Sequence, residues 1–177
     1  NLKDLNFPSV SFKISLAPKV EPDSDGAEDI EFLISMTPGE PLNPLSQIAS
    51  GGELSRIMLA IRTVMSDKDA IPTLIFDEID AGISGRTAQR VAEKLRLIAA
   101  SRQVICITHL AQIAAMADHH FVIDKSTDGI TTNTTVREVS GEESVEELSR
   151  ILGGSKITEA VRMNAREMKK LAKTIIN

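Results

Sequence analysis

A chain of 177 residues, 42% of them hydrophobic, is long enough to bury one core and is read as a single domain over residues 1–177. With 20 basic against 25 acidic residues it carries a net charge of −5, and it has no Trp, no Tyr and five Phe, so composition advertises neither a basic nucleic-acid surface nor base-stacking platforms. A single cysteine, Cys106, excludes an internal disulfide and a cysteine-rich metal site, and within the run "QVICIT" it reads as a small buried residue. No apolar run reaches membrane-spanning length and Asn1-Leu2-Lys3-Asp4-Leu5 is not a signal peptide, so the chain is read as soluble and cytoplasmic; its start at Asn1 rather than Met fits either a fragment or a processed chain.

In chain order, "SVSFKISLA" (9–17) alternates polar and apolar residues, and "DIEFLISM" (29–36) is a second strand across the turn-rich, acidic "PKVEPDSDGAE", predicting an antiparallel pair. Residues 37–47, with three prolines and a glycine, predict a loop. A helix follows from about Glu53 to Ser66, with Leu54, Ile57, Met58, Ile61, Val64 and Met65 on its apolar face. Thr73 to Phe76 predict a strand of the buried parallel type, residues 86–100 a helix with Ala88, Val91, Ala92, Leu95, Ile98 and Ala99 inward, and "QVICIT" a second buried strand. A short helix "LAQIAAMA", a strand "HHFVIDK", a turn "STDG" and an antiparallel strand "ITTNTTVREV" come next. Two helices, about 144–152 and 156–175, are split by Gly153-Gly154. Strands alternating with helices predict an α/β domain, mainly a parallel sheet flanked by helices, with antiparallel strand additions.

Three places carry chemistry. In "IASGGELSR" (48–56), Ser50 and Glu53 have capping-box spacing, in which each side chain satisfies a backbone N–H of the first helical turn. Capping does not explain Gly51 and Gly52, each of which costs up to about 1 kcal/mol relative to alanine in a helix. Bare N–H groups at a helix start also suit an anion such as phosphate, and both readings stand at this point. Asp77-Glu78, at the carboxyl end of an apolar strand, is either a solvated strand end or a magnesium ligand beside a water-activating base. His109, at the end of the next strand, is either a loop histidine or part of the same constellation, since open α/β sheets bind ligands at the carboxyl ends of their strands. His119 and His120 share no zinc spacing with the acids and read as strand-start residues.

Each pattern alone is common; their order is specific. "SGGE", "TLIFDE", "IDAGIS" and "ITH", in that sequence, resemble the signature motif, Walker B, D-loop and switch histidine of the C-terminal lobe of an ABC-type ATPase. "LIFDEIDAGISG", "THLAQIAAMADHHF" and the tail "VEELSRILGGSKITEAVRMNAREM" narrow the likeness to the RecN family of bacterial SMC-like DNA repair ATPases, from about residue 29 to the end. Ala111 departs from that pattern, which would have proline after "THL". The resemblance implies that Asp77 holds Mg2+ through water, Glu78 activates the attacking water and His109 contacts the γ-phosphate. It further implies that Asp80 communicates across a dimer, and that Ser50, Gly51 and Gly52, supported by Glu53 and Arg56, bind ATP held by the opposite head. On this reading 1–36 is a strand pair after a coiled coil, 45–125 the motif core, and 126–177 a strand addition with C-terminal helices.

A P-loop, G-x-x-x-x-G-K-[ST], does not occur; in "GGSKIT" (153–158) Ser155 separates Gly154 from Lys156. The resemblance places the P-loop in an N-terminal lobe joined through a coiled coil. The implied partners are therefore that Walker A lobe, a second head in a nucleotide-bridged homodimer, and DNA through the full-length protein, in a nucleoid-associated setting and without a membrane. The chain alone is expected to hydrolyse no ATP. Alternatives are another SMC-like or RecF-like repair ATPase lobe and a non-catalytic assembly module.

Overall fold

The structure, a computed structural model, describes residues 1–48, 50–65, 71–127, 129 and 131–174. Ser66, Asp128, Ile130 and Ile175, at the expected ends of helices, strand and turn, lie outside the described residues.

Strands β1 (Ser11–Asp23) and β2 (Gly26–Ser35) form an antiparallel hairpin in register Ser11↔Ser35 to Pro18↔Glu28, so the acidic segment expected to be a turn is largely strand. Alternation sets its faces: Phe12, Ile14 and Leu16 oppose Ile34, Phe32 and Ile30, and the Phe12 and Phe32 rings stack 5.7 Å apart. A two-residue strand, β3 (Asn43–Pro44), pairs with β2 inside the proline-rich segment expected to be a loop. Helix α1 (Gly51–Met65) follows, then β4 (Thr73–Phe76), α2 (Gly85–Ala99) and β5 (Gln103–Cys106), with β4 and β5 parallel in register Thr73↔Gln103. A single turn, α3 (Ala111–Ala114), leads to the antiparallel pair β6 (His120–Thr127) and β7 (Thr132–Val139), and α4 (Gly141–Gly153) and α5 (Glu159–Thr174) close the described chain.

The main core joins α1, β4, α2 and the segment after β4, through Ile57, Leu59, Leu74, Phe76, Ile79 and Val91. Leu5 and Phe7, in and just after a 3-10 turn at Lys3–Leu5, plug it from the chain start, which the sequence pattern did not anticipate. A second cluster unites α3, α4 and α5 around Ala111, Val145, Leu148 and Ala165.

Two expectations change. The inward face of α1 is Gly52, Arg56, Ile57, Leu59 and Ala60, whereas Leu54, Val64 and Met65 are exposed. The helix is turned because Gly52 and the buried Arg56, neither of which scores as apolar, are the residues that meet the segment after β4. The parallel strands are also not buried on both faces: Leu74 and Phe76 point into the core, while Ile75, Ile105 and Ile107 stand 69%, 45% and 51% exposed. No described element packs over that outer face, so only alternate residues of each strand are covered. The parallel pairing is four residues long on each strand, and β6 pairs with β7 rather than extending it.

Candidate functional site

The carboxyl ends of β4 and β5 meet the start of α1. Glu78 sits at φ 55°, in the left-handed region that non-glycine residues rarely occupy. Its N–H donates to Asp77 Oδ1 at 2.9 Å, and the Ser55 hydroxyl of α1 donates to the Asp77 carbonyl at 2.8 Å. Both carboxylates therefore lie on a strand end pinned to α1, and both residues remain exposed. Ser55 is a site residue that sequence reasoning missed; its only signal was a hydroxyl one turn into the helix.

The two glycines find their first explanation inside this chain. A Cβ at Gly52 would stand 2.7 Å from Ala81 Cβ and 2.8 Å from the Glu78 carbonyl oxygen, so the segment after β4 occupies the space that any side chain there would need. At Gly51 the obstacle is the Glu78 carboxylate itself, the tip of a flexible side chain. Gly51 and Gly52 thus pack directly against Glu78. The capping geometry is also present in part, since the Glu53 N–H approaches Ser50 Oγ at 3.4 Å and the Leu54 N–H donates to the Ser50 carbonyl at 3.0 Å.

Arg56, which the resemblance gave a supporting role at the start of α1, lies beneath the surface. It is buried, its Nη1 donates to the Ala81 carbonyl at 2.8 Å and reaches the Ile79 carbonyl at 3.4 Å, and its guanidinium lies 5.5 Å from the centre of the Phe7 ring. Burial holds the guanidinium below the usual arginine range. Arg56 therefore clamps the backbone after β4 onto α1.

Asp80 is buried as well, and one oxygen, Oδ2, accepts two hydrogen bonds, from Thr108 Oγ1 at 2.5 Å and the His109 N–H at 2.8 Å, while His109 Nδ1 lies 3.0 Å from the same oxygen. Thr108 Oγ1 accepts in turn from the Leu110 N–H at 3.0 Å. This arrangement ties the loop after β5 to the loop after β4 and holds the imidazole beside Asp80 on a side chain that is 72% exposed. Asp80 is joined to His109 within the chain, and Thr108, which carried no role in the sequence reading, completes the link. Cys106, beneath them, is partly buried; burial and the charges of Asp80 and Asp77 push its thiol up to about 12, so it stays protonated and unreactive.

Among the described residues no three His, Cys, Asp or Glu side chains cluster as a metal cage. Asp77 nonetheless suits magnesium, which is commonly held by one or two carboxylates with water and phosphate oxygens completing its shell. Among the described residues no helix is long and apolar enough to cross a membrane.

Comparison with known proteins defines the class first. No family model matches. The fold matches an Smc head domain with a coiled coil and joint from Pyrococcus yayanosii (25% identity, TM-score 0.59, 82% of this chain and 26% of that one). It also matches an Smc head domain with an extended coiled coil, bound to the C-terminal domain of ScpA, from Pyrococcus furiosus (26%, TM-score 0.54, 85% and 35%). The chain thus has the fold of the C-terminal lobe of an ABC-type, SMC-like ATPase head. The particular family follows from curated relatives: DNA repair protein RecN of Treponema pallidum is 56% identical over 129 residues, that of Halalkalibacterium halodurans 48% over 151, and that of Vibrio cholerae 41% over 169. These alignments cover 73–95% of this chain but only 22–30% of the relatives' length. The chain is therefore recognisable as RecN-like and matches the C-terminal part of those proteins.

Proposed function

We propose that this chain is one half of an ATP-hydrolysing SMC-like head that acts in DNA double-strand-break repair and recombination. The observation that carries the reading is the single contact cluster of Gly51, Gly52, Asp77, Glu78, Asp80 and His109, three sequence-distant segments joined at the carboxyl ends of parallel strands. When bound, magnesium supplies charge neutralisation at the β- and γ-phosphates of ATP. Asp77 would hold it through water. Glu78, whose strained backbone aims an exposed carboxylate, would orient and deprotonate the attacking water. His109, positioned by Asp80, would present Nε2 to the γ-phosphate. Ser50, Gly51 and Gly52 at the start of α1 would receive the γ-phosphate of ATP held by a second head. Glu53 lies beside that helix start, and Arg56 acts from below by fixing the backbone on which Glu78 and Asp80 sit.

Partners follow from what the chain does not cover. The sequence contains no P-loop, so on this reading ATP would be held by an N-terminal Walker A lobe, and the outer faces of β4–β5 and of the hairpin, bearing Ile75, Ile105, Ile14 and Phe32, are the apolar surfaces it would cover. A second head and DNA complete the working assembly in a cytoplasmic, nucleoid-associated setting.

In the full-length protein, Glu78→Gln should reduce ATP hydrolysis by about 10²–10⁴-fold while nucleotide binding persists. The chain alone should show no magnesium-dependent turnover. Turnover by the isolated chain, abolished by Glu78→Gln, would overturn this account.

A further inference from the structure

Charge is not spread evenly over this acidic chain. Helix α5 carries Arg162, Arg166, Lys169, Lys170 and Lys173 against Glu159 and Glu167. Its basic side faces a cavity of about 580 Å³, closed by the segment after α3, the start of β6, the end of β7 and the first turn of α4. The cavity lies apart from the cluster of Glu78, Asp80 and His109, none of which lines it.

The carboxylates on its walls are already engaged: Asp118 with Arg96, Glu142 with Arg166, and Glu138 with His119 Nδ1 at 2.7 Å. Lys169, Lys170 and Lys173 have no carboxylate partner among the described residues, so three ammonium groups remain uncompensated around one cavity. Lys169 and Lys173 are also spaced i,i+4, where like charges destabilise a helix unless something lies between them.

Lys169 is held in place rather than free. Its Nζ donates to Ser144 Oγ at 2.7 Å, and that fully buried hydroxyl lies 2.8 Å from Nδ1 of the buried His120. An ammonium only donates, so the serine proton is left to donate to an unprotonated Nδ1. Burial, and then the charge of Lys169, hold His120 below the usual histidine range, in keeping with that tautomer. One of the three Lys169 donors is thereby used and two remain. Opposite them, α4 begins at Ser140-Gly141, where Ser140 makes no side-chain cap and Gly141, at φ 51°, carries no side chain over the first-turn N–H groups.

We propose that this cavity receives a phosphate group, on a nucleic-acid strand or on a small phosphate ester, with Lys169 at its floor, Lys170 and Lys173 at its rim, and the first turn of α4 opposite. Compact ammonium donors and the N–H groups of Gly141 and Glu142, which unlike those of Glu143 and Ser144 do not bond the Ser140 carbonyl, both match a phosphate oxyanion, and the cavity exceeds the volume of phosphate alone, leaving room for an attached sugar.

The test uses the full-length protein with its nucleotide site first saturated by a non-hydrolysable ATP analogue. One arm titrates inorganic phosphate calorimetrically; the other follows fluorescence anisotropy of a short labelled oligothymidylate. Lys169→Gln and Lys170→Gln should each weaken binding about tenfold, and Lys156→Gln, in the exposed link between α4 and α5, should leave it unchanged. Lys170 is exposed and makes no hydrogen bond or ion pair among the described residues, so its variant remains informative if Lys169→Gln disturbs the fold. A loss confined to the strand arm assigns the phosphate to nucleic acid, and one confined to the phosphate arm assigns it to a small ester. Wild-type binding by both lysine variants in both arms would overturn the proposal. None of these outcomes depends on the hydrolytic role of Glu78.

Discussion

Two surfaces of the same strand, β4, behave differently. The inner side, with Leu74 and Phe76, is sealed into the core, and the loop beyond it is bolted to α1 by Arg56 and to the β5 loop by Asp80. The outer side shows Ile75 to solvent beside Ile105 and Ile107, as the β1–β2 hairpin shows Ile14 and Phe32. The contrast teaches that this chain by itself ties together the loops at the carboxyl ends of its parallel strands, while its exposed apolar faces are the ones the proposed function assigns to an adjoining lobe.

The comparison can be broken most sharply at neighbouring residues. Phe76→Ala should cost about 3–5 kcal/mol of lobe stability in urea unfolding, because it empties a core position. Asp80→Ala should cost about 2–3 kcal/mol by leaving the Thr108 hydroxyl and the His109 N–H without their acceptor, and it should also lower ATP turnover in the full-length protein. Gly52→Ala should cost about 1–3 kcal/mol through contact with Ala81 and the Glu78 carbonyl. Gly51→Ala should cost less, since only the Glu78 side chain has to move. Equal costs at the two glycines would refute the packing explanation given for Gly52.

Smaller effects sharpen the account. Ile75→Ser should change the stability of the isolated chain by less than about 0.5 kcal/mol, in contrast to Phe76. The pH dependence has a definite sign at His120, whose neighbours are Ser144, Lys169 and Glu147. Its folded pKa lies below the ordinary value, so the unfolded chain binds the proton first. The His120 contribution is full above about pH 6.5 and falls as pH drops below it, at no more than about 1.4 kcal/mol per pH unit. His119, raised by Glu138, acts in the opposite sense from an exposed site. Subtracting a His120→Gln unfolding series from wild type isolates the buried residue.

Much of this was legible from local pattern. The helix at 86–100, the strand Thr73–Phe76 and the hairpin follow from periodicity, and the motif order led to the RecN-like, SMC-type head. What periodicity could not show was the rotation of α1, because a glycine and an arginine occupy its inner face for reasons of shape and hydrogen bonding rather than hydropathy. Nor could it show that Asp80 bonds the histidine loop, a contact between residues 28 and 29 positions apart. The outer face of β4 misled for a different reason: an apolar run looks equally buried whether its cover lies in the same segment or elsewhere.

The most direct test of the composite site is complementation between two inactive full-length variants. Ser50→Arg removes the helix-start contact and Glu78→Gln removes the base, so each homodimer should hydrolyse almost no ATP. Mixed in equal amounts, half the dimers are heterodimers with one intact site of two, and activity should return to about a quarter of wild type. A mixture as inactive as its components would contradict the claim that the α1 start of one head completes the site of the other.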